Sequence, residues 1–225
     1  MHEVFTDMID RPVIITGCAR SGTSLVAGIA HACGAWMGKV TGPTRWNKKG
    51  QFENEAIRDR LTKPYLQSIN CDPMGQDVLP DHHINLSEPN WRRRVINVIH
   101  SEGYTGADVW AFKGAKACMI WPVWHKAFPE ARWVIVRRDD DKIIDSCMRT
   151  SFMRKRKTRE SWQEWVDQHK AYFQQLYSSV PYVYEVWSKD LVEDPLRAKP
   201  LVEAVGLHWD HDEVMSFVSK ELWHG

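Results

Sequence analysis

Apolar and polar positions along this chain alternate between strand-like and helix-like stretches. Val13 to Thr16 is a short, β-branched apolar run and reads as a buried strand. Gly17 to Gly22 is a turn-forming loop, and Thr23 to Cys33 has helical apolar spacing. Asn54 to Ile69 predicts a helix kinked or broken at Pro64, where a backbone donor is missing. Ser87 is placed to cap a helix from Pro89 to His100. The second half repeats the alternation. Val109 to Phe112 is a short strand, and Trp133 to Val136 is a stronger one that leads into a helix from Asp140 to Met148. Glu160 to Tyr177 is a long amphipathic helix, Tyr182 to Val186 the last strand, and Pro195 to Val205 and Asp212 to Leu222 two further helices. This order predicts an α/β fold of three layers, with a mostly parallel central sheet and helices on both faces. Ligands of such sheets lie beyond the carboxyl ends of the strands. No repeat, low-complexity tract or linker interrupts the 225 residues, so residues 1–225 read as a single domain.

Composition narrows the function classes. The net charge is +1, so no overall field draws the chain to nucleic acid or a membrane surface, and any anion site must be local. Residues 1–11 carry three acids and no long apolar run, and no stretch has the roughly 20 apolar residues of a membrane span. A cytoplasmic protein is the expectation. The five cysteines are scattered without a CxxC pair, which points to free thiols and to no metal site. His82, His83 and the other histidines read as ordinary surface or core residues. The twelve tryptophans read as core or cleft residues, with one or two left for stacking on a ligand.

The candidate chemistry begins at Gly17-Cys18-Ala19-Arg20-Ser21-Gly22-Thr23-Ser24, between the first strand and first helix. Glycines allow a tight turn whose N–H groups point inward, and the helix N-terminus adds partial positive charge. The hydroxyls of Ser21, Thr23 and Ser24 are further donors. Such a loop suits a phosphate-like anion, although a plain strand–helix turn has the same composition. It is not the nucleoside-triphosphate loop GxxxxGK[ST], because Thr23 stands where the lysine belongs. Nor is it a cysteine phosphatase loop, because Ser24 stands where the arginine belongs.

A second motif runs from Val134 through Arg137 and Arg138 to Ser146, with seven residues between Arg138 and Ser146. Arg138 closes a strand and Ser146 sits about two turns into the next helix, so both can meet one phosphate. Arg137 should face the other way. Asp139, Asp140 and Asp141 read as a cap and first-turn acids. The basic run Arg149, Arg154, Lys155, Arg156, Lys157 and Arg159 reads as a mobile, solvated loop.

The two motifs, in this order, resemble those of the bacterial-type sulfotransferases that use 3′-phosphoadenosine-5′-phosphosulfate (PAPS). Lys49 to Asn54, Phe112-Lys113-Gly114 with Trp121-Pro122, and Tyr184-Glu185 with Asp190-Leu191 and Asp194-Pro195 extend the likeness over nearly the whole chain. The resemblance implies a P-loop NTPase-like sulfotransferase fold. It implies transfer of a sulfuryl group from PAPS to an acceptor hydroxyl of a glycan or small metabolite, with release of 3′,5′-ADP and no metal. It implies that Cys18, Ala19, Arg20, Ser21, Gly22, Thr23 and Ser24 grip the 5′-phosphosulfate, and that Arg138 and Ser146 hold the 3′-phosphate. Arg20 stands where cytosolic relatives carry lysine, and their C-terminal Arg-Lys-Gly loop has no counterpart. Arg20 would stabilise the leaving charge. Glu53 is the first candidate base, and Lys113, at a strand end, the candidate ligand of the sulfuryl oxygens. A P-loop kinase-like phosphotransferase and a non-catalytic nucleotide-binding module are the alternatives.

Overall fold

The computed structural model describes residues 8–45, 47–77, 79 and 86–218. Four strands, β1 (Val13–Thr16), β2 (Ala111–Lys113), β3 (Arg132–Arg137) and β4 (Val183–Trp187), form one sheet in the order β2-β1-β3-β4. Every pairing is parallel, with Ile15 opposite both Lys113 and Val134. The helices are α1 (Thr23–Ala32), α2 (Lys63–Ser68), α3 (Trp91–Ser101), α4 (Trp121–Ala127), α5 (Asp140–Arg149), α6 (Arg159–Ser179), α7 (Ser188–Glu193), α8 (Lys199–Ala204) and α9 (His211–Phe217).

Alternate strand residues feed two separate cores, as the pleat requires. Ile14, Trp133 and Ile135 join one that includes residues of α3, α4, α5 and α6. Val13, Ile15, Val134 and Val136 join the other, with residues of α1, α7, α8 and α9. The three-layer α/β architecture is therefore observed. Trp91, Trp110, Trp124, Trp133, Trp162 and Trp165 are all fully buried. All five cysteines are buried free thiols.

Several local expectations shift. The second strand starts at Ala111, because Val109 and Trp110 are engaged by Trp36: its amide donates to the Val109 carbonyl at 2.9 Å. Ser87 does not cap α3, which begins after Asn90 with no side-chain cap. Helix α4 was not expected; it carries Pro122 in its first turn, where a missing N–H costs nothing. Helix α7 was likewise unexpected. Pro64 does not end the helical run but sits where its type changes. A π-helical stretch, Ile57–Thr62, runs directly into α2, and the Arg94 guanidinium donates at 3.1 Å to the Arg60 carbonyl, the group Pro64 cannot serve. The acids after Arg138 do not cap α5 through their side chains; Asp140 instead pairs with Lys170 of α6, and Asp141 with Arg159 at 2.6 Å. The basic run is largely exposed to solvent, as expected, but is anchored at two points: Arg156 donates to the Gln76 carbonyl at 3.0 Å, and the Lys155 amide to the Gln76 side chain at 3.0 Å. His82, His83 and the expected end of the last helix at Leu222 lie outside the described residues.

Thr16, wholly buried at the end of β1, ties the sheet to the loop that follows β2. Its hydroxyl donates to the Gly114 carbonyl at 3.0 Å and accepts from the Cys118 amide at 3.1 Å. Thr16→Val keeps the shape but removes both bonds; the Gly114 carbonyl keeps the Ala117 amide at 3.0 Å, while the Cys118 amide loses the hydroxyl it donates to. It should lower stability by about 2–3 kcal/mol in urea unfolding, whereas Thr16→Ser should lose less than half of that.

Candidate active site

At the carboxyl end of β1 the chain turns so tightly that three residues leave ordinary backbone space. Gly17, Arg20 and Gly22 have φ of 155°, 74° and 98°. Glycine reaches these values freely, whereas Arg20 does so at a cost of about 1–3 kcal/mol. Gly22 has no side chain to cap α1, so the first amides of the helix remain open donors. Ser21 adds a fully buried hydroxyl with no partner among the described residues. An orphaned buried hydroxyl beside open helix amides is what an anion would satisfy. Ser24, by contrast, donates to the Gln51 carbonyl at 3.2 Å and so ties the turn to the segment before Glu53.

The strained backbone of Arg20 sends its side chain towards α5. Its Nε donates to the Ser146 hydroxyl at 2.9 Å, and Arg138 donates to the Arg20 carbonyl at 3.0 Å. The expectation placed Arg20 with the turn and Arg138 with Ser146; the structure brings all three together. Arg149 joins them in the cleft wall, three residues after Ser146 and so on the same helical face. Burial depresses the Arg20 and Arg138 guanidinium pKa values, and repulsion from Arg149 adds to it. These crowded cations make an anion hole. Arg149 thus belongs to the end of α5 rather than to the solvated loop expected after it, and its i+3 spacing from Ser146 is the signal in the sequence. Arg137 does face away, stacked between Phe173 and Trp187 and bonded to Glu185 at 3.0 Å.

A second group of charges gathers at the other end. Glu53 is held by backbone: the Thr41 amide donates to its carbonyl at 3.0 Å, and the next residue, Asn54, accepts from the Ile57 amide at 2.9 Å. Phe52 just before it sits at φ 54°, a strained value for a bulky residue. Burial opposes ionisation of the Glu53 carboxyl, but Lys116, Lys113, Arg58 and Lys63 outweigh it and hold its pKa below the usual glutamate value. Lys113, at the end of β2, is fully buried, which lowers its pKa, while Glu53 opposes that shift. Gly114 lets the two ends meet, since a Cβ there would lie 2.8 Å from the Phe112 ring and 3.6 Å from Glu53. Lys116, Arg58 and Lys63 were not singled out from sequence, because nothing local links them.

Apart from Ser21, whose hydroxyl lies beside Gly17 and outside the lining, the charged and polar side chains of the two ends line one cleft of about 610 Å³. Its remaining wall includes Met119, Met153, Trp165 and His169. Burial depresses the His169 pKa to about 4, so the ring is neutral at pH 7. Its Nδ1 lies 2.8 Å from the Trp165 carbonyl and must donate to it, which leaves Nε2 as an acceptor. Cys18 does not line the cleft, and burial raises its thiol pKa. Among the described residues no group of three or more His, Cys, Asp or Glu is placed to hold a metal ion.

The profile of the Sulfotransferase family matches residues 12–211. The chain belongs to this family. Sulfotransferases of solved structure share its fold at low identity. STF1 from Mycobacterium tuberculosis is 16% identical, with a TM-score of 0.54 over 98% of this chain and 74% of that one. The sulfotransferase domain from the curacin biosynthetic pathway is 12% identical, with a TM-score of 0.60 over 96% of this chain and 80% of that one. STF9 from Mycobacterium avium is 12% identical, with a TM-score of 0.58 over 96% of this chain and 69% of that one. No curated protein matches the sequence. As a sulfotransferase the protein is a transferase, and no helix among the described residues is long and apolar enough to cross a membrane.

Ser21 gives a test with two opposite signs. Ser21→Ala removes an unsatisfied buried hydroxyl, so the ligand-free protein should keep or gain up to about 1 kcal/mol in urea unfolding. The same change should weaken binding of sulfate or 3′,5′-ADP by about tenfold in calorimetry. A loss of stability without a loss of anion affinity would make the hydroxyl merely structural.

Proposed function

We propose that this sulfotransferase moves the sulfuryl group of PAPS to an acceptor hydroxyl and releases 3′,5′-ADP. The observation that carries this reading is the pair of anion holes at opposite ends of one turn. The uncapped start of α1 at Thr23 and Ser24, with the unpartnered Ser21 hydroxyl behind it, marks one, and Arg20, Arg138, Ser146 and Arg149 mark the other. A nucleotide phosphorylated at both the 5′ and 3′ positions fills both.

In this reading the turn from Cys18 to Ser24 receives the 5′-phosphosulfate through its amides, and through Ser21 and Thr23. Arg138, Ser146, Arg20 and Arg149 receive the 3′-phosphate, so Arg149 supplies the cation for which the chain has no C-terminal Arg-Lys-Gly loop. The acceptor oxygen attacks sulfur as the bond from sulfur to the bridging oxygen breaks. Charge grows on that oxygen, where fixed amide donors stabilise it. Lys113 steadies the sulfuryl oxygens, and Glu53 takes the proton of the hydroxyl. Its depressed pKa keeps the carboxylate ionised but makes it a weak base. The incoming anion beside Lys113 cancels part of that field and raises the affinity of Glu53 for the proton when it is needed.

Two measurements test the reading. In a thermal-shift series 3′,5′-ADP should stabilise the protein far more than ATP with magnesium, because only the former fills both holes; equal stabilisation would favour a phosphotransferase. In steady-state kinetics Arg138→Ala should raise the KM for PAPS and weaken 3′,5′-ADP by ten- to a hundredfold, roughly one charge-assisted contact. Glu53→Gln should instead lower kcat by about 10²–10⁴ with little change in nucleotide affinity. If Arg138→Ala leaves the preference for the 3′-phosphorylated nucleotide intact, the second hole is misplaced.

A further inference from the structure

The cations of the cleft outnumber what the donor can match. Two phosphate-type groups and a sulfuryl oxyanion bring roughly four negative charges. Arg20, Arg138, Arg149 and Lys113 supply four positive ones at those positions. Three cations remain around Glu53. Arg58 and Lys116 keep only 17% and 12% of their side-chain surface exposed, and Lys63 keeps 31%. Three carboxylates act on them, one being the exposed Glu55, which accepts from the Thr41 hydroxyl at 3.3 Å and attracts Arg58. Glu53 is 3.7 Å from Lys116. Asp59, which does not line the cleft, holds Arg58 at 2.6 Å and Lys63 at 2.7 Å. Asp59 therefore orients both from outside and leaves the cleft side of each for something else. Arg58 is braced further by the Thr41 hydroxyl at 2.6 Å. With Lys113 already assigned to the donor, the cleft wall still presents six cations, Arg58, Lys63 and Lys116 here with Arg45, Lys48 and Lys49 elsewhere in the wall, against the three carboxylates Glu53, Asp59 and Glu55. A neutral acceptor would desolvate this surplus without compensating it, which is unfavourable.

Resting on the donor reading above, we propose that the acceptor is an anionic alcohol. Its own carboxylate, sulfate or phosphate is held by Lys116, Arg58 and Lys63 while its hydroxyl meets Glu53. The distance of 3.7 Å between Lys116 and Glu53 sets the spacing: the anionic group and the reacting hydroxyl belong to one small unit, such as a single uronic acid ring or a hydroxy acid. The apolar wall formed by Met119 and Met153 borders the same cleft and suits the ring or carbon face of that unit.

The test uses the whole protein saturated with 3′,5′-ADP, so that the nucleotide holes are closed to other anions. Calorimetry then compares three pairs: glucuronate with glucose, glycerol phosphate with glycerol, and para-hydroxybenzoate with phenol. The acid should bind at least about tenfold more tightly than its neutral partner in one pair or more, and no neutral partner should be preferred. Lys116→Gln and Lys63→Gln should each cut that preference by about three- to tenfold while leaving 3′,5′-ADP affinity within about twofold. Equal response to acid and neutral partner in every pair, including no binding of either, overturns the proposal. So does a preference that survives both substitutions. Failure of 3′,5′-ADP to bind in the first place overturns the donor reading, and the acceptor subsite falls with it.

Discussion

The cleft depends on the turn by which β1 becomes α1. A strand that ends in Gly17 and re-enters a helix at Thr23 has too few residues to close without left-handed backbone. The turn that results cannot cap its own helix, because Gly22 carries no side chain. Unsatisfied amides and the buried Ser21 hydroxyl follow directly, and so does the direction of Arg20. The proposed anion site is thus a consequence of polar groups that the folded chain leaves unmet.

Around that turn the sheet acts as a rigid frame. The Thr16 hydroxyl joins the end of β1 to the loop after β2, which fixes Lys113 and Lys116 relative to the turn. The Ser24 hydroxyl joins α1 to the segment carrying Glu53. The Arg45 side chain reaches Ser151 at 2.8 Å, so the chain before Glu53 also meets the chain after α5. Hydrogen bonds, neutral at Thr16 and Ser24 and charge-assisted at Arg45, therefore place the charged groups. Such bonds hold geometry at little electrostatic cost and leave the charges directed into the cleft.

The electrostatics divide into two ends with different logic. Near Ser146 burial, with the crowding of Arg20, Arg138 and Arg149, depresses the pKa values of Arg20 and Arg138, although Asp139 opposes the shift of Arg138. Near Glu53 cations surround one carboxylate and keep it ionised despite burial. In the proposed reaction one end binds the donor and the other combines binding with a proton acceptor, so one excess of positive charge would serve both.

The local sequence determined the elements and much of the chemistry. The run from Val13 to Ser24 is legible as strand, turn and helix because β-branched, glycine and helix-forming residues act within a few positions of each other. The spacing of Arg138 and Ser146 is legible for the same reason: a strand end and two helical turns have fixed dimensions. The register of β2 was not legible, because Trp36, far away in the chain, engages Val109 and Trp110. Nor was the anchoring of the basic run, since Gln76 holds it from another part of the chain. The convergence of Lys116, Arg58 and Lys63 on Glu53 was decided only by the tertiary structure. They reach it from the loop after β2 and from the helical stretch leading into α2, and no periodicity records which charges a sheet order brings face to face.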